Sequence, residues 1–113
     1  MSVLGIGMNG HLGFNENGVD FSLNAHIIPL SETTRKVMSK YFGDKFHPTQ
    51  GISQGIRQIM AARRVILIAN GAHKAEILRK AVRGSVTNEV PASVLQNHPN
   101  CYVVADEAAA ALL

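Results

Sequence analysis

The residues best suited to chemistry lie in two short stretches of the chain. The first is Gly7–Glu16, where His11 stands between Gly10 and Leu12 with Asn9 and Glu16 close by in sequence. An imidazole passes protons near neutral pH, and a carboxylate or amide beside it can fix its tautomer and orientation. Glu16 and Asn9 are the candidates for that orienting role. A plainer reading uses the same residues: His11 and Asn15 only hydrogen-bond the loop backbone, and composition alone leans that way. The second stretch is Asn70-Gly71-Ala72-His73-Lys74, a strand-to-helix turn. The free N–H groups and positive dipole end of a helix N-terminus suit an anion such as phosphate. Lys74 falls in the first turn, where the dipole disfavours a cation. A bound anion would relieve that mismatch, although an exposed lysine in such a turn is commonplace.

The elements that must position these loops follow from apolar periodicity and turn residues. Val3-Leu4-Gly5-Ile6-Gly7 reads as a buried strand. A buried strand needs neighbours on both sides, so the chain is expected to begin inside a larger domain, an edge strand of a small domain being the alternative. Four glycines and three asparagines make Gly7–Gly18 a shaped loop. Ala25, Ile27 and Ile28 suggest a short strand ending before Pro29. Ser31 is an N-cap for a helix over about 32–42 with Val37, Met38, Tyr41 and Phe42 as its apolar stripe. Ile52, Ile56, Ile59 and Met60 recur at helical spacing and predict a second helix over about 50–61. Val65–Ala69 predicts a fully buried parallel strand ended by Asn70-Gly71. A third helix over about 72–83 buries Ile77, Leu78, Ala81 and Val82 and stops at Gly84. Pro91 opens a turn of helix through Leu95, Cys101–Ala105 is the last strand, and an alanine-rich helical tail follows. The order predicts an α/β fold, a Rossmann-like parallel sheet with flanking helices.

With 113 residues, 46% of them hydrophobic, a formal net charge of +3 and 17% charged, the chain is one domain at most and has the material for a core. The sequence pI of about 9.4 favours anionic ligands in general, but the basic residues form no run of the kind that binds nucleic acid. One cysteine, Cys101, cannot close an internal disulfide and reads as a buried inert thiol; with five scattered histidines it offers no metal-binding spacing. His26, His47 and His98 read as solvated or structural. No apolar run reaches the roughly 20 residues of a membrane span, and no secretory leader is visible. A cytoplasmic protein is expected, with no membrane partner.

The run LGIGMNGHLGFNENG resembles the histidine loop of the glucosamine-6-phosphate deaminases and galactosamine-6-phosphate isomerases, G-x-G-x-[DN]-G-H-[IL]-x-[FL]-N-E-P-G. Thr34-Arg35 with Ser39-Lys40-Tyr41-Phe42 is similar to that family's T-R…S-[RK]-[FY]-F helix, and Asn70–Lys74 to its G-x-x-K turn. Val90-Pro91-Ala92-Ser93-Val94-Leu95-Gln96 with His98-Pro99 is similar to its V-P-A-S-x-L-Q-x-H-P segment. Members are roughly twice this length and begin with a phosphate loop and a proton-abstracting aspartate that this chain lacks. The resemblance therefore implies that residues 1–113 are the C-terminal part of a larger three-layer sugar-phosphate isomerase/deaminase domain.

By that resemblance His11 is the acid/base that opens the pyranose ring, Glu16 its carboxylate partner, and Asn9 stands where many members have aspartate. Lys74 contacts the sugar phosphate, Lys40 assists it, and Gly5 is a strand-end residue whose backbone approaches the sugar. The implied reaction isomerises an amino-sugar 6-phosphate with loss of ammonia, needing no cofactor or metal. A phosphate or sulfate ion is expected near Lys74, and a homo-oligomer is expected. Asn17-Gly18 replaces the family's Pro-Gly, which should leave the loop less rigid; no residue reads the C4 hydroxyl that separates glucosamine from galactosamine, so both sugars stay open, with these departures leaning toward the galactosamine branch. Two alternatives resemble the chain less. A 6-phosphogluconolactonase would carry G-x-D-G-H-x-A-x-L-F-P, where this chain has Phe14-Asn15-Glu16. A sugar-phosphate sensor of a repressor needs no proton shuttle, which the set Asn9, His11 and Glu16 supplies.

Overall fold

A computed structural model of the chain describes residues 1–43 and 47–113. The β-branched run Val65–Ala69 forms the central strand of a three-stranded parallel sheet. Strand β1 is Ser2–Gly5, and after it come β2 His26–Pro29, α1 Glu32–Phe42, β3 Gln50–Ser53, α2 Ile56–Ala61, β4 Val65–Ala69, α3 Ala75–Arg83 and β5 Cys101–Ala105. Two 3-10 turns, Ala72–Lys74 and Pro91–Asn97, lie before and after α3. The sheet order is β1-β4-β5, with Val3 opposite Ile66 and Ile66 opposite Tyr102. The expected α/β architecture is present, with β1 at an edge of the sheet.

One face of the sheet carries the core. Val65, Leu67 and Ala69 point into a cluster with Leu12, Ile56, Ile59, Leu78, Ala81 and Leu95. Among the described residues the other face is left uncovered. Register aligns Val3, Ile66 and Tyr102, then Gly5, Ile68 and Val104, and Val3, Ile68, Tyr102 and Val104 are 53%, 45%, 53% and 55% exposed. The full burial expected for Val65–Ala69 is thus corrected: its side chains alternate, because a strand buries both faces only where both are covered.

The helix expected over 50–61 divides in two. Residues 50–53 pair antiparallel with β2, Ile52 lying opposite Ile27. The helix begins only at Ile56, with the Gly55 N–H donating to the Gln58 side chain at 3.1 Å. The apolar spacing ran unbroken through Gly51 and Gly55, two residues that oppose helix interior positions. The stripe expected on α1 is also corrected: Val37 and Tyr41 are exposed and Met38 is half-buried, while the side chain of Phe42 lies outside the described residues. Beyond β5 the alanine-rich tail makes turns, not a helix, with Asp106 accepting from the Ala109 N–H at 2.8 Å. Among the described residues no helix is long and apolar enough to cross a membrane.

Gly55 is a fixed point of this arrangement. A Cβ there would lie 2.0 Å from the Leu23 carbonyl oxygen and 2.2 Å from that of Asn24. Backbone cannot yield as a side-chain tip can, so Gly55→Ala should destabilise the chain by about 1–3 kcal/mol, the usual range for overpacking. Chemical denaturation monitored by circular dichroism measures it.

Candidate active site

The histidine loop begins where β1 ends. Ile6 enters the core, and Gly7 to Gly10 turn sharply, the Gly10 N–H donating to the Gly7 carbonyl at 2.9 Å. Gly10 has φ +83°, and a Cβ there would press on Val90 at 2.8 Å, so glycine is required twice over. Leu12 is fully buried, and its backbone pairs in both directions with that of Asn15. With Leu12 anchored inward, His11 is left half-buried. Its ring rests on Gly7, where a Cβ would come within 2.0 Å of the imidazole Cδ2 and Nε2. His11 Nδ1 lies 2.7 Å from the Gly13 carbonyl oxygen. A carbonyl only accepts, so Nδ1 carries the proton and Nε2 of the neutral ring holds the lone pair. The ring borders a cleft of about 400 Å³ whose walls include Asn9, Phe14, Thr34, Val37 and Met38.

The orienting group is therefore a main-chain carbonyl, and neither sequence candidate contacts the ring. The Asn9 side chain accepts instead from the His11 backbone N–H at 3.3 Å. The Glu16 carboxylate turns to the start of α1. It accepts from the Ser31 N–H at 3.1 Å, from the Ser31 hydroxyl at 3.0 Å and from the Thr34 hydroxyl. An anion at a helix N-terminus is favoured by the dipole and by unpaired N–H groups. Glu16 thus straps the loop to the helix that forms the far wall of the cleft.

Two further residues, Asn15 and Ser53, do much of the positioning. Asn15 is fully buried, and its Nδ2 donates to the Leu12 carbonyl at 2.9 Å and the Gln54 carbonyl at 2.7 Å. Ser53 on β3 accepts from the Phe14 N–H at 3.1 Å. No sequence signal marks Ser53, because its partner is far away in the chain. The Val90–Pro99 segment is a brace: the Ala92 N–H donates to Gly10 O, Ser93 closes on Thr87, and Gln96 Nε2 donates to carbonyls of Ala81 and Gly84 at the end of α3. Asn17, expected to loosen the loop, instead ties it to the Glu89 carbonyl at 2.7 Å.

Lys74 and the turn before it sit beyond the carboxyl end of β4. The Lys74 Nζ donates to the Ile6 carbonyl at 2.5 Å, beside the histidine loop, and burial lowers its pKa from the ordinary lysine value. The Gly71 N–H, expected to be open to an anion, already donates to the Asp106 carboxylate at 3.0 and 3.1 Å. Gly5 closes β1 with open space where a side chain would stand. Lys40 is exposed in the last turn of α1 and does not line the cleft.

The remaining histidines and the cysteine have structural surroundings. His98 is buried, its Nε2 2.7 Å from the Ala62 carbonyl and its Nδ1 accepting from the Asn100 N–H. His26 Nδ1 meets the Asn24 carbonyl, and His47 is exposed. Cys101 is half-buried, and burial pushes its thiol pKa up, which keeps it protonated. Among the described residues no cluster of three or more histidine, cysteine or acidic side chains is placed to hold a metal ion.

A parallel α/β sheet with this loop at the end of its edge strand has counterparts among known proteins. The chain belongs to the family of glucosamine-6-phosphate isomerases and 6-phosphogluconolactonases, whose model matches residues 1–104. It is 48% identical to a glucosamine-6-phosphate deaminase of Streptococcus thermophilus over all of this chain and 49% of that protein. It is 46% identical to the deaminase of the same name from Oceanobacillus iheyensis, over 96% of this chain and 44% of that protein. The chain thus spans about half the length of the curated relatives it matches. The structure of a monomeric glucosamine-6-phosphate deaminase superposes with a TM-score of 0.90 at 39% identity, covering 98% of this chain and 46% of that one. A 6-phosphogluconolactonase from Trypanosoma cruzi shares the fold, with a TM-score of 0.74 at 21% identity over 98% of this chain and 40% of that one.

The Glu16 strap gives a direct expectation. Glu16→Ala removes the acceptor of the Ser31 amide, and amide hydrogen exchange at Ser31 should speed up about tenfold, equivalent to ~1.4 kcal/mol. Exchange in β4, which does not touch the strap, should stay unchanged.

Proposed function

We propose that this chain is the ring-opening portion of an amino-sugar 6-phosphate deaminase acting on glucosamine 6-phosphate. The observation that carries the reading is the His11 ring, with Nδ1 committed to the Gly13 carbonyl and Nε2 holding a lone pair. The names of the related proteins support it. In the proposed mechanism Nε2 takes the proton of the C1 hydroxyl and returns it to the ring oxygen as the C1–O5 bond breaks. The open aldehyde then isomerises as the C2 proton moves to C1 and an amine proton moves to O1, and water adds to the resulting C2 imine and expels ammonia, leaving a 2-ketose phosphate. The base for the C2 proton is, by resemblance, an aspartate outside these residues.

Lys74 is the proposed phosphate contact: its ammonium would exchange the Ile6 carbonyl for a phosphate oxygen when substrate arrives. Asn15 and Glu16 favour the deaminase over the lactonase alternative. A Leu-Phe-Pro run in place of Phe14-Asn15-Glu16 could supply neither the amide donor that meets Leu12 and Gln54 nor the carboxylate that meets Ser31. The uncovered sheet face is assigned to the additional length that the relatives possess, since parallel sheets are covered on both sides.

Ammonia release by the full-length protein, assayed with glucosamine 6-phosphate and galactosamine 6-phosphate in parallel, tests the reading. Activity on the glucosamine ester is expected to exceed that on its C4 epimer; hydrolysis of 6-phosphogluconolactone with no ammonia from either sugar would overturn the proposal. Lys74→Met should raise KM roughly tenfold to a hundredfold, the worth of one charge-assisted hydrogen bond. His11→Ala should lower kcat with KM little changed. Only the charged ammonium binds phosphate, and burial lowers the Lys74 pKa. Substrate affinity should therefore decline at a lower alkaline pH than an exposed lysine would give.

A further inference from the structure

We infer that Ser53 is a positioning residue for His11, acting across the peptide that joins Gly13 to Phe14. That single peptide group has its carbonyl 2.7 Å from His11 Nδ1 and its N–H 3.1 Å from Ser53 Oγ. A peptide is planar, with C=O and N–H pointing in opposite directions, so anchoring one end aims the other. The hydroxyl is itself oriented. It donates to the Gln54 carbonyl at 3.0 Å, which turns its lone pairs toward Phe14, and Asn15 Nδ2 approaches it at 3.4 Å.

The anchor matters because the peptide starts at the residue least able to hold it. Gly13 has φ +59° and no side chain, and a Cβ there would lie 2.8 Å from Ser53 Oγ. Close approach of the hydroxyl and freedom of the peptide are thus two sides of one contact. Without Ser53 Oγ the peptide can rotate and carry the Gly13 carbonyl away from the imidazole. Hydrogen bonds in series also polarise one another, so an N–H bound to Ser53 makes its carbonyl a better acceptor for Nδ1–H. Both effects hold the proton on Nδ1 and the lone pair on Nε2.

The catalytic meaning of this contact rests on the proposed role of His11, but the contact can be tested without substrate. In the full-length protein labelled with 15N-histidine, at a pH where imidazoles are neutral, His11 should give the Nδ1–H pattern of nitrogen shifts. Ser53→Ala should move it to the Nε2–H pattern that an unconstrained histidine favours. Ser53→Thr, which keeps the hydroxyl, should restore Nδ1–H. Ser53→Cys, with a weak sulfur acceptor of similar size, should follow alanine and serves if the alanine variant does not fold. The Nε2–H signal of His98, bound to Ala62, reports that the fold is intact. Retention of Nδ1–H in Ser53→Ala with His98 unchanged, or its loss in a folded Ser53→Thr, would overturn the inference. In the full-length protein the alanine variant should lower kcat by roughly tenfold or more at nearly constant KM, as misplacement of a reacting group does. An absence of deaminase activity in the unsubstituted protein would defeat the functional reading and leave the tautomer result standing.

Discussion

The carboxamide of Asn15 is closed off from water, and the shape of the histidine loop depends on where it is held. Its nitrogen satisfies carbonyls of Leu12 and Gln54, one in the loop and one just beyond β3. Its oxygen has no hydrogen-bond partner among the described residues. An unpaired buried acceptor costs about 1–3 kcal/mol, which the burial of Leu12 and its neighbours in the core must offset. With Leu12 and Asn15 both turned inward, the residues around them have little choice. His11 emerges before the pair, Gly13 and Phe14 arch over it, and Glu16 leaves in the direction of α1.

The use made of Glu16 follows from that exit. A carboxylate is best accommodated where several donors converge, and the start of α1 supplies one N–H and two hydroxyls. The imidazole takes a backbone carbonyl instead, which carries no net charge. The Gly13 carbonyl therefore fixes the ring's proton, and Glu16 serves the separate task of joining the histidine loop to α1.

What could be read beforehand were features whose causes are local. The strand at Val65–Ala69, the end of α3 near Gly84, the turn opened by Pro91 and the Ser31 cap all follow from residues next to one another, and all are present. The failures share a different origin. Residues 50–53 are a strand because Ile27 lies opposite Ile52, a pairing invisible to local spacing. The Gly71 N–H is engaged because Asp106, on the far side of α3 in sequence, reaches it. Ser53 carries no motif, yet it touches the loop more directly than Asn9 touches the imidazole. Composition did point to backbone hydrogen bonding by His11 and Asn15, and both occur; the bonds that matter most are long-range.

The asymmetry of the sheet has a thermodynamic consequence. Unfolding raises the heat capacity mainly by wetting apolar groups that the native state keeps dry. Within these 113 residues Val3, Ile68, Tyr102 and Val104 are wet already, so until further chain covers them they add little to that change. The heat capacity increment of these 113 residues alone should fall below the ~12–15 cal/mol/K per residue of proteins with covered cores. The curve of stability against temperature is then less sharply curved.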